Sequence, residues 1–138
     1  MRKSNRSGFT LLEVIIVIII VGVLASLALP RFFSTVEYSK GTEALQALAT
    51  VRQSMERCYM MRISYSGPCA NFNNLYVENP TNTPNAHFTY AINGGVTAYT
   101  ITSTRNTRDG GDGTSTVILT FNGTTVTRTG SGSYGAVN

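Results

Sequence analysis

The stretch Gly8-Phe9-Thr10-Leu11-Leu12-Glu13-Val14-Ile15-Ile16-Val17-Ile18 decides the fold of this 138-residue chain. It opens an apolar run from Phe9 to Leu29, and as a helix this run reaches about 31 Å, roughly the thickness of a membrane's hydrocarbon core. An ionised Glu13 inside hydrocarbon costs a few kcal/mol, so it needs a positive partner. The next basic residue, Arg31, lies about 27 Å further along the helix. The nearest candidate is the amine made by cutting after Gly8, presented by a neighbouring copy.

A basic octapeptide, Met1–Gly8, precedes the apolar run. A secretory signal would instead be cut after its apolar region, with small residues at positions −3 and −1. Ala25-Ser26-Leu27 and Ala28-Leu29-Pro30 match that pattern poorly. An uncut single-span anchor carrying a binding protein stays open as an alternative, although it gives no reason for Glu13.

The residues Gly8-Phe9-Thr10-Leu11-Leu12-Glu13, behind their short basic leader, resemble the processing site of type IV prepilins and the related pseudopilins. The resemblance implies that a prepilin peptidase cleaves after Gly8, that Phe9 becomes the N-methylated terminus, and that Glu13 is the assembly carboxylate. It also implies self-assembly into a homopolymeric helical filament, with an inner-membrane assembly platform and minor pilins as partners. The expected location is the inner membrane as a single-pass protein, and then an extracellular pilus or a periplasmic pseudopilus.

The expected domains are a cleaved leader (1–8), a transmembrane and filament-core helix (9–30) and a globular head (31–138). The formal net charge of +4 comes mostly from Arg2, Lys3 and Arg6 in the leader, and the mature side chains sum to only +1. A basic leader predicts a cytoplasmic amino terminus and an exported head. Because the mature charge is this small, nucleic acid is not expected as a partner.

The segment after the apolar run has the period of an amphipathic helix, because its apolar residues recur at spacings of three and four. The stripe consists of Leu45, Leu48, Val51, Met55, Cys58 and Arg62, widened by Ala44, Ala47 and Tyr59. We expect one long helix over about residues 9–61. Gly22 is a weak helix former and Pro30 lacks an amide proton, so both predict a kink. Many pilins have a Gly and a Pro at these places.

A turn-rich loop begins at Ser64, and four β-strand candidates follow it, at residues 87–92, 96–102, 116–121 and 124–128. The first two are joined through Asn93-Gly94-Gly95 and the last two through Asn122-Gly123, and Asn-Gly is a strong hairpin signal. The predicted fold is α+β, with the long helix packed on a four-stranded antiparallel sheet. The Gly/Ser-rich tail, residues 129–138, is predicted to be loose.

Cys58 and Cys69 both lie in the part expected to be exported, where oxidising conditions favour a disulfide. By the chain-entropy model, closing a loop of this size contributes about 3 kcal/mol. A zinc site would need more ligands than these two thiols and the distant His87 provide.

No combination of residues predicts catalysis, since His87 is the only histidine and has no partner placed beside it by the sequence. Asp109 and Asp112, in a Gly-rich loop, are candidate calcium ligands, because some pseudopilins bind calcium in a carboxyl-terminal loop. Otherwise we expect no cofactor. Arg105 and Arg108 lie on the same predicted loop but do not by themselves form a basic patch. The interpretations in order are a type IV pilus subunit, a type II secretion pseudopilin, and an uncut membrane-anchored protein.

Overall fold

The computed structural model describes residues 8–137, and the predicted leader lies almost entirely outside them. A single α-helix, α1, runs from Leu11–Arg62 over 52 residues, close to the predicted range. The chain divides into two compact units, here called the stem (up to Val36) and the head (from Glu37), and each is described by itself. The helix is continuous through Gly22 and Pro30, so a kink at either position stays a prediction.

The head contains the buried face of α1. The predicted stripe is confirmed in its centre, while Leu45 is half-buried and Arg62 is exposed. The residues buried on this face are Gly41, Ala44, Leu48, Val51, Ser54, Met55 and Cys58. The stripe recurs at three and four residues because only that spacing keeps side chains on one side of a 3.6-residue helix.

Four antiparallel strands complete the α+β fold, as predicted. They are β1 (Phe88–Gly94), β2 (Tyr99–Arg105), β3 (Thr116–Phe121) and β4 (Val126–Gly130), and they lie side by side in the order β1-β2-β3-β4. Alternate residues of the first three strands are buried with the helix stripe, because successive side chains of a strand point to opposite faces. These buried strand residues are Phe88, Tyr90, Tyr99, Ile101, Ser103, Arg105, Val117 and Leu119.

The first hairpin turn was predicted in the wrong place. Gly94 lies in β1, paired with Tyr99, and the turn is made by Gly95–Ala98, where the Gly95 amide donates to the Ala98 carbonyl at 2.8 Å. Gly94 serves close packing instead, since a Cβ there would lie 2.0 Å from the carbonyl oxygen of Tyr65. Tertiary contact with the loop after α1 therefore explains this glycine, whereas the sequence pattern indicated a turn.

The second hairpin turn is confirmed at Asn122-Gly123. Gly123 has a φ of +95°, which favours glycine. The Asn122 side chain accepts hydrogen bonds from the backbone amides of Thr124 and Thr125 at 3.0 and 2.9 Å. This side-chain cap fixes the turn locally, which explains why the sequence alone could predict it.

The prediction of a loose carboxyl-terminal tail was wrong. Tyr134 is fully buried, with its ring 5.4 Å from that of Phe88, and Val137 is also buried. Composition suggested disorder, but one large aromatic residue is enough to anchor a short segment when the core has a place for it.

The predicted disulfide is present between Cys58 and Cys69, whose Cα atoms are 5.8 Å apart. It joins the last turns of α1 to a short 3-10 turn, Gly67–Ala70. Both cysteines are buried, so the bond also closes one end of the core.

Replacing Cys58 and Cys69 together by serine should lower the free energy of unfolding of the head by about 3 kcal/mol, because the unfolded chain regains the entropy of the open loop. Denaturant unfolding of the full chain in detergent micelles, followed by near-ultraviolet circular dichroism, measures this. Wild-type protein treated with a reductant should show the same loss. An unchanged unfolding midpoint in both samples would contradict the assigned role of the disulfide.

Candidate functional site

The stem presents an almost entirely exposed apolar surface. Its large apolar side chains are between 40 and 82 % exposed from Phe9 to Leu29, and α1 is the one helix among the described residues that is long and apolar enough to cross a membrane. Such a surface needs lipid or another protein to cover it, since contiguous apolar patches of this size are not left in water.

Glu13 lies on this surface at the edge of a shallow apolar depression of about 260 Å³. The depression is lined by Phe9, Glu13, Val14, Val17 and Ile18. Within residues 8–137 no basic side chain forms an ion pair with Glu13. Pairing of Glu13 with a positive group from another copy stays a prediction.

The role of Thr10 was not recognised from the sequence. Its hydroxyl oxygen accepts a hydrogen bond from the Glu13 amide at 3.2 Å and so caps the first turn of α1. The sequence does contain a signal for this cap. Thr10-Leu11-Leu12-Glu13 has the spacing of a capping box, with a Thr at the cap and a Glu three residues later. The same four residues thus start the helix and position the carboxylate on its first turn.

A buried ion pair joins the helix to the sheet in the head. Arg105 ends β2 and does not lie on the following loop, where it was expected, and it is only 1 % exposed. It donates from Nε to Glu37 Oε1 at 2.6 Å, and the hydroxyl of Tyr134 donates to the same oxygen at 2.7 Å. Arg105 also donates to the backbone carbonyls of His87 and Asn106. Arg105 is therefore structural, and it is not accessible to an external ligand.

The hydrogen bond from Arg105 is the main cause that lowers the pKa of Glu37 from 4.5 to about 2, and the bond from Tyr134 adds to it. Burial of Arg105 is the largest single influence on its pKa and lowers it, but the hydrogen bond to Glu37, the charge of Glu37 and the contact with Tyr134 together outweigh burial and raise the pKa of the guanidinium. Burial raises the pKa of the Tyr134 phenol as well, and Glu37 raises it further. All three groups therefore keep their ordinary charges throughout the neutral range.

His87 lies between two carboxylates. Its Nδ1 is 2.7 Å from Glu43 on α1, and its Nε2 is 3.1 Å from Asp109 in the loop after β2. The backbone carbonyl of Asp109 accepts from Lys40 at 3.0 Å, and Lys40 also lies 3.3 Å from a carboxylate oxygen of Glu37. These contacts hold the β2–β3 loop against the helix, so His87 is a packing residue whose two partners come from distant parts of the sequence.

The two predicted calcium ligands are engaged separately. Asp109 contacts His87, whereas Asp112 accepts from the backbone amides of Thr114 and Ser115 and from the Ser115 hydroxyl. The Ser115 hydroxyl is the main cause that lowers the pKa of Asp112 to about 2. Across residues 8–137, no three His, Cys, Asp or Glu side chains are grouped to hold a metal. Calcium binding at Asp109 and Asp112 stays a prediction.

A second surface feature of the head was not predicted from the sequence. Arg52 and Arg57 on α1 and Arg128 on β4 line one groove of about 430 Å³. Arg108, which the sequence placed beside Arg105, is exposed elsewhere on the β2–β3 loop. The groove was not recognisable from spacing, because Arg128 joins the helix arginines only through the pairing of β4 with β3.

Comparison with known proteins gives two family matches that together cover most of the chain. Residues 3–29 match the prokaryotic N-terminal methylation motif, and residues 30–116 match the family described as "Type IV minor pilin ComP, DNA uptake sequence receptor". The boundary between the matches coincides with the predicted end of the membrane-spanning segment at residue 30. No solved structure matches the chain.

Individual relatives belong to two kinds of filament system. The type II secretion system core protein G of Pseudomonas aeruginosa is 29% identical over 61% of this chain and 58% of its own length, and that of Aeromonas hydrophila is 38% identical over 41% and 39%. The type IV major fimbrial protein FimA of Dichelobacter nodosus is 33% identical over 42% of this chain and 37% of its own. The chain thus spans between about two fifths and three fifths of these curated relatives.

Acid should destabilise the head through Glu37. Because its pKa is lowered in the folded protein, its contribution to stability is complete above the ordinary value of 4.5 and is lost as pH falls towards about 2. Glu37→Gln should therefore lower the free energy of unfolding at pH 7 by about 3 kcal/mol, since it leaves Arg105 buried without a countercharge. The same substitution should also make the free energy of unfolding depend less on pH in the acid range.

Unfolding of the full chain by denaturant between about pH 2 and pH 7 measures this dependence. Glu78→Gln is the matched control, because Glu78 is exposed and makes no hydrogen bond or ion pair among the described residues. Equal acid dependence in Glu37→Gln and wild type would contradict the assignment. Asp112, also with a lowered pKa, accounts for part of the acid dependence that remains.

Proposed function

The chain belongs to the family of the type IV minor pilin ComP, described as a DNA uptake sequence receptor, and on that premise we propose that it is a subunit of a type IV pilus. The proposed subunit is cut after Gly8 by prepilin peptidase and methylated on Phe9, and then assembles through its stem with copies of itself and minor pilins. The observation that carries this proposal is the exposed apolar surface from Phe9 to Leu29, in which Glu13 is the one charged residue. This role is structural rather than enzymatic.

The proposed assembly has two physical parts. Burying stem surface against other stems contributes about 25 cal/mol per Å² in water, but little while lipid covers that surface, because lipid is as apolar as leucine. The ion pair between Glu13 and the Phe9 amine of a neighbour is therefore the directional contact while the stem is still in the membrane. Thr10 supports it by fixing the first turn, on which Glu13 lies.

Glu13→Ala should leave cleavage after Gly8 intact but severely reduce filament yield, because the neighbour's amine loses its countercharge. Gly8→Val should instead leave the precursor uncut. The measurement is the intact mass and amino-terminal residue of the protein in sheared-surface and membrane fractions of its host. Glu78→Ala, which removes an exposed head carboxylate, should behave as wild type. Normal filament yield from Glu13→Ala would disprove the proposed ion pair.

The same fractions separate the alternatives. The relatives among type II secretion core proteins favour a pseudopilin as second interpretation, and a cleaved, methylated chain confined to the membrane fraction would support it. A chain that still carries Met1–Gly8 in every fraction would support the uncut membrane anchor. Abundant chain beginning at methylated Phe9 in the sheared fraction would support the pilus subunit.

The match of residues 30–116 to a DNA-receptor family supports a further role, DNA binding by the head. This proposal departs from the expectation drawn from the sequence, where the small mature net charge gave no reason to expect nucleic acid as a partner. Net charge describes the average of a surface, whereas DNA binding depends on where the basic residues are clustered.

The full chain in detergent micelles should bind fluorescently labelled duplex DNA, with an affinity that falls steeply as salt is raised, because phosphate contacts release counterions. Fluorescence anisotropy at several salt concentrations measures this. Heat-unfolded protein is the control for non-specific attraction to the basic chain. Absence of binding by folded protein at low salt would exclude the DNA role and leave the pilus role untouched.

A further inference from the structure

We propose that the groove lined by Arg52, Arg57 and Arg128 binds the backbone phosphates of duplex DNA. The proposal rests on the DNA-binding role proposed above and assigns residues to it. We call this surface the arginine groove. It lies in the head between α1 and the β3–β4 edge of the sheet, and its walls are formed by Ala49, Arg52, Gln53, Glu56, Arg57, Met60, Leu119 and Arg128.

The fold brings the three arginines together from two sides. Arg52 and Arg57 lie on the last turns of α1, and Arg128 lies on the edge strand β4 directly opposite Leu119 of β3. Directly paired residues of neighbouring strands share a face of the sheet. Because Leu119 is buried against the helix, Arg128 is on the helix side of the sheet as well. The groove of about 430 Å³ is therefore bounded by cations on both walls.

The positive charges of the groove are not neutralised by ion pairs within the described part of the protein. None of the three arginines forms an ion pair with a carboxylate within residues 8–137. The Nε of Arg52 is buried and has no hydrogen-bond partner there, while Arg57 donates from Nη2 to the Ser54 hydroxyl at 2.8 Å.

Glu56 is the one acid in the lining, and its carboxylate is already occupied. One oxygen accepts the hydroxyl of Tyr65 at 2.9 Å, and the other accepts the hydroxyl of Tyr99 at 3.0 Å. Both tyrosines are buried, so these bonds hold the carboxylate towards the core. The groove keeps a net positive charge from its lining residues.

The remaining acids of the head are concentrated elsewhere. Three of the other five, Glu37, Glu43 and Asp109, lie in the cluster with Arg105, Lys40 and His87. The other two, Glu78 and Asp112, do not line the groove. This separation leaves a basic region on a head whose total charge is nearly neutral. The apolar side chains of Ala49, Met60 and Leu119 in the groove wall strengthen the field, because a low-dielectric wall concentrates it.

Phosphate is the favoured anion because of the geometry of arginine. A guanidinium presents a planar fork of donors that fits two phosphate oxygens, and it carries its charge at any physiological pH. Three such forks along one groove suit a ligand with regularly spaced phosphates. These contacts position DNA without reading its sequence, so base recognition would belong to other residues.

The test compares salt dependence of DNA binding between two variants with the same change in charge. The groove variant is Arg52→Gln/Arg57→Gln/Arg128→Gln, and the matched control is Arg31→Gln/Arg62→Gln/Arg108→Gln, which replaces three exposed arginines outside the groove. Both are measured as full chains in detergent with labelled duplex DNA. The slope of log affinity against log salt changes by about 0.9 for each phosphate that an arginine no longer neutralises.

The groove variant should lose about 2.7 from the magnitude of this slope and bind at least about tenfold more weakly at ~0.1 M salt. The control should change both quantities much less. Arg128→Gln alone should lose about 0.9 from the slope. Because Arg128 is exposed, this single variant tests the groove even if the triple variant folds poorly.

Equal losses of salt slope and DNA affinity in the groove variant and the control would overturn the proposal, because such losses would depend on total charge alone. If the groove variant is folded and binds DNA with the same affinity and salt slope as wild type, the proposed groove is also overturned. The DNA-binding role of the head would still stand in that case. If folded wild type binds no DNA at low salt, the DNA role fails, and the assignment of the groove fails with it.

Discussion

The buried guanidinium of Arg105 is the constraint on which the head depends. It sits at the end of β2, where it meets Glu37 from the helix, and Tyr134 from the carboxyl-terminal segment reaches the same carboxylate. A charge removed from water is tolerated only when its partners satisfy it, so these three parts of the chain must fold together. Arg105, the most buried cation of residues 8–137, thus serves internal order, and the tail is folded because Tyr134 supplies one of its partners.

The placement of this network also determines where the remaining charges lie. Glu37, Glu43 and Asp109 are drawn into contacts with Arg105, Lys40 and His87. The arginines of the groove are left without carboxylate partners among the described residues. A head with almost no net charge can in this way carry a surface suited to a polyanion, because electrostatic recognition depends on local rather than total charge.

Much of the fold was predictable, and the errors have a common cause. The helix, the four strands and the Asn122 turn are set by periodicity or by contacts between near neighbours, and these were predicted well. Gly94 was assigned to a turn from the Asn-Gly pattern, and this was wrong because its closest contact, the Tyr65 carbonyl, comes from a distant part of the chain. The tail was assigned as loose from its Gly/Ser-rich composition, and this was wrong because the site that receives Tyr134 exists only in the folded head.

The sequence by itself determined the stem. An apolar helix with one carboxylate near its start is a local pattern, so it can be predicted without knowing how the rest of the chain folds. It also predicted the cysteine pair, since two cysteines in an exported segment allow one intramolecular bond and oxidising conditions favour it. Only the tertiary structure decided the roles of the arginines. Arg105 is buried and Arg128 joins Arg52 and Arg57 because strand pairing brings together residues far apart in sequence, and no spacing rule contains that information.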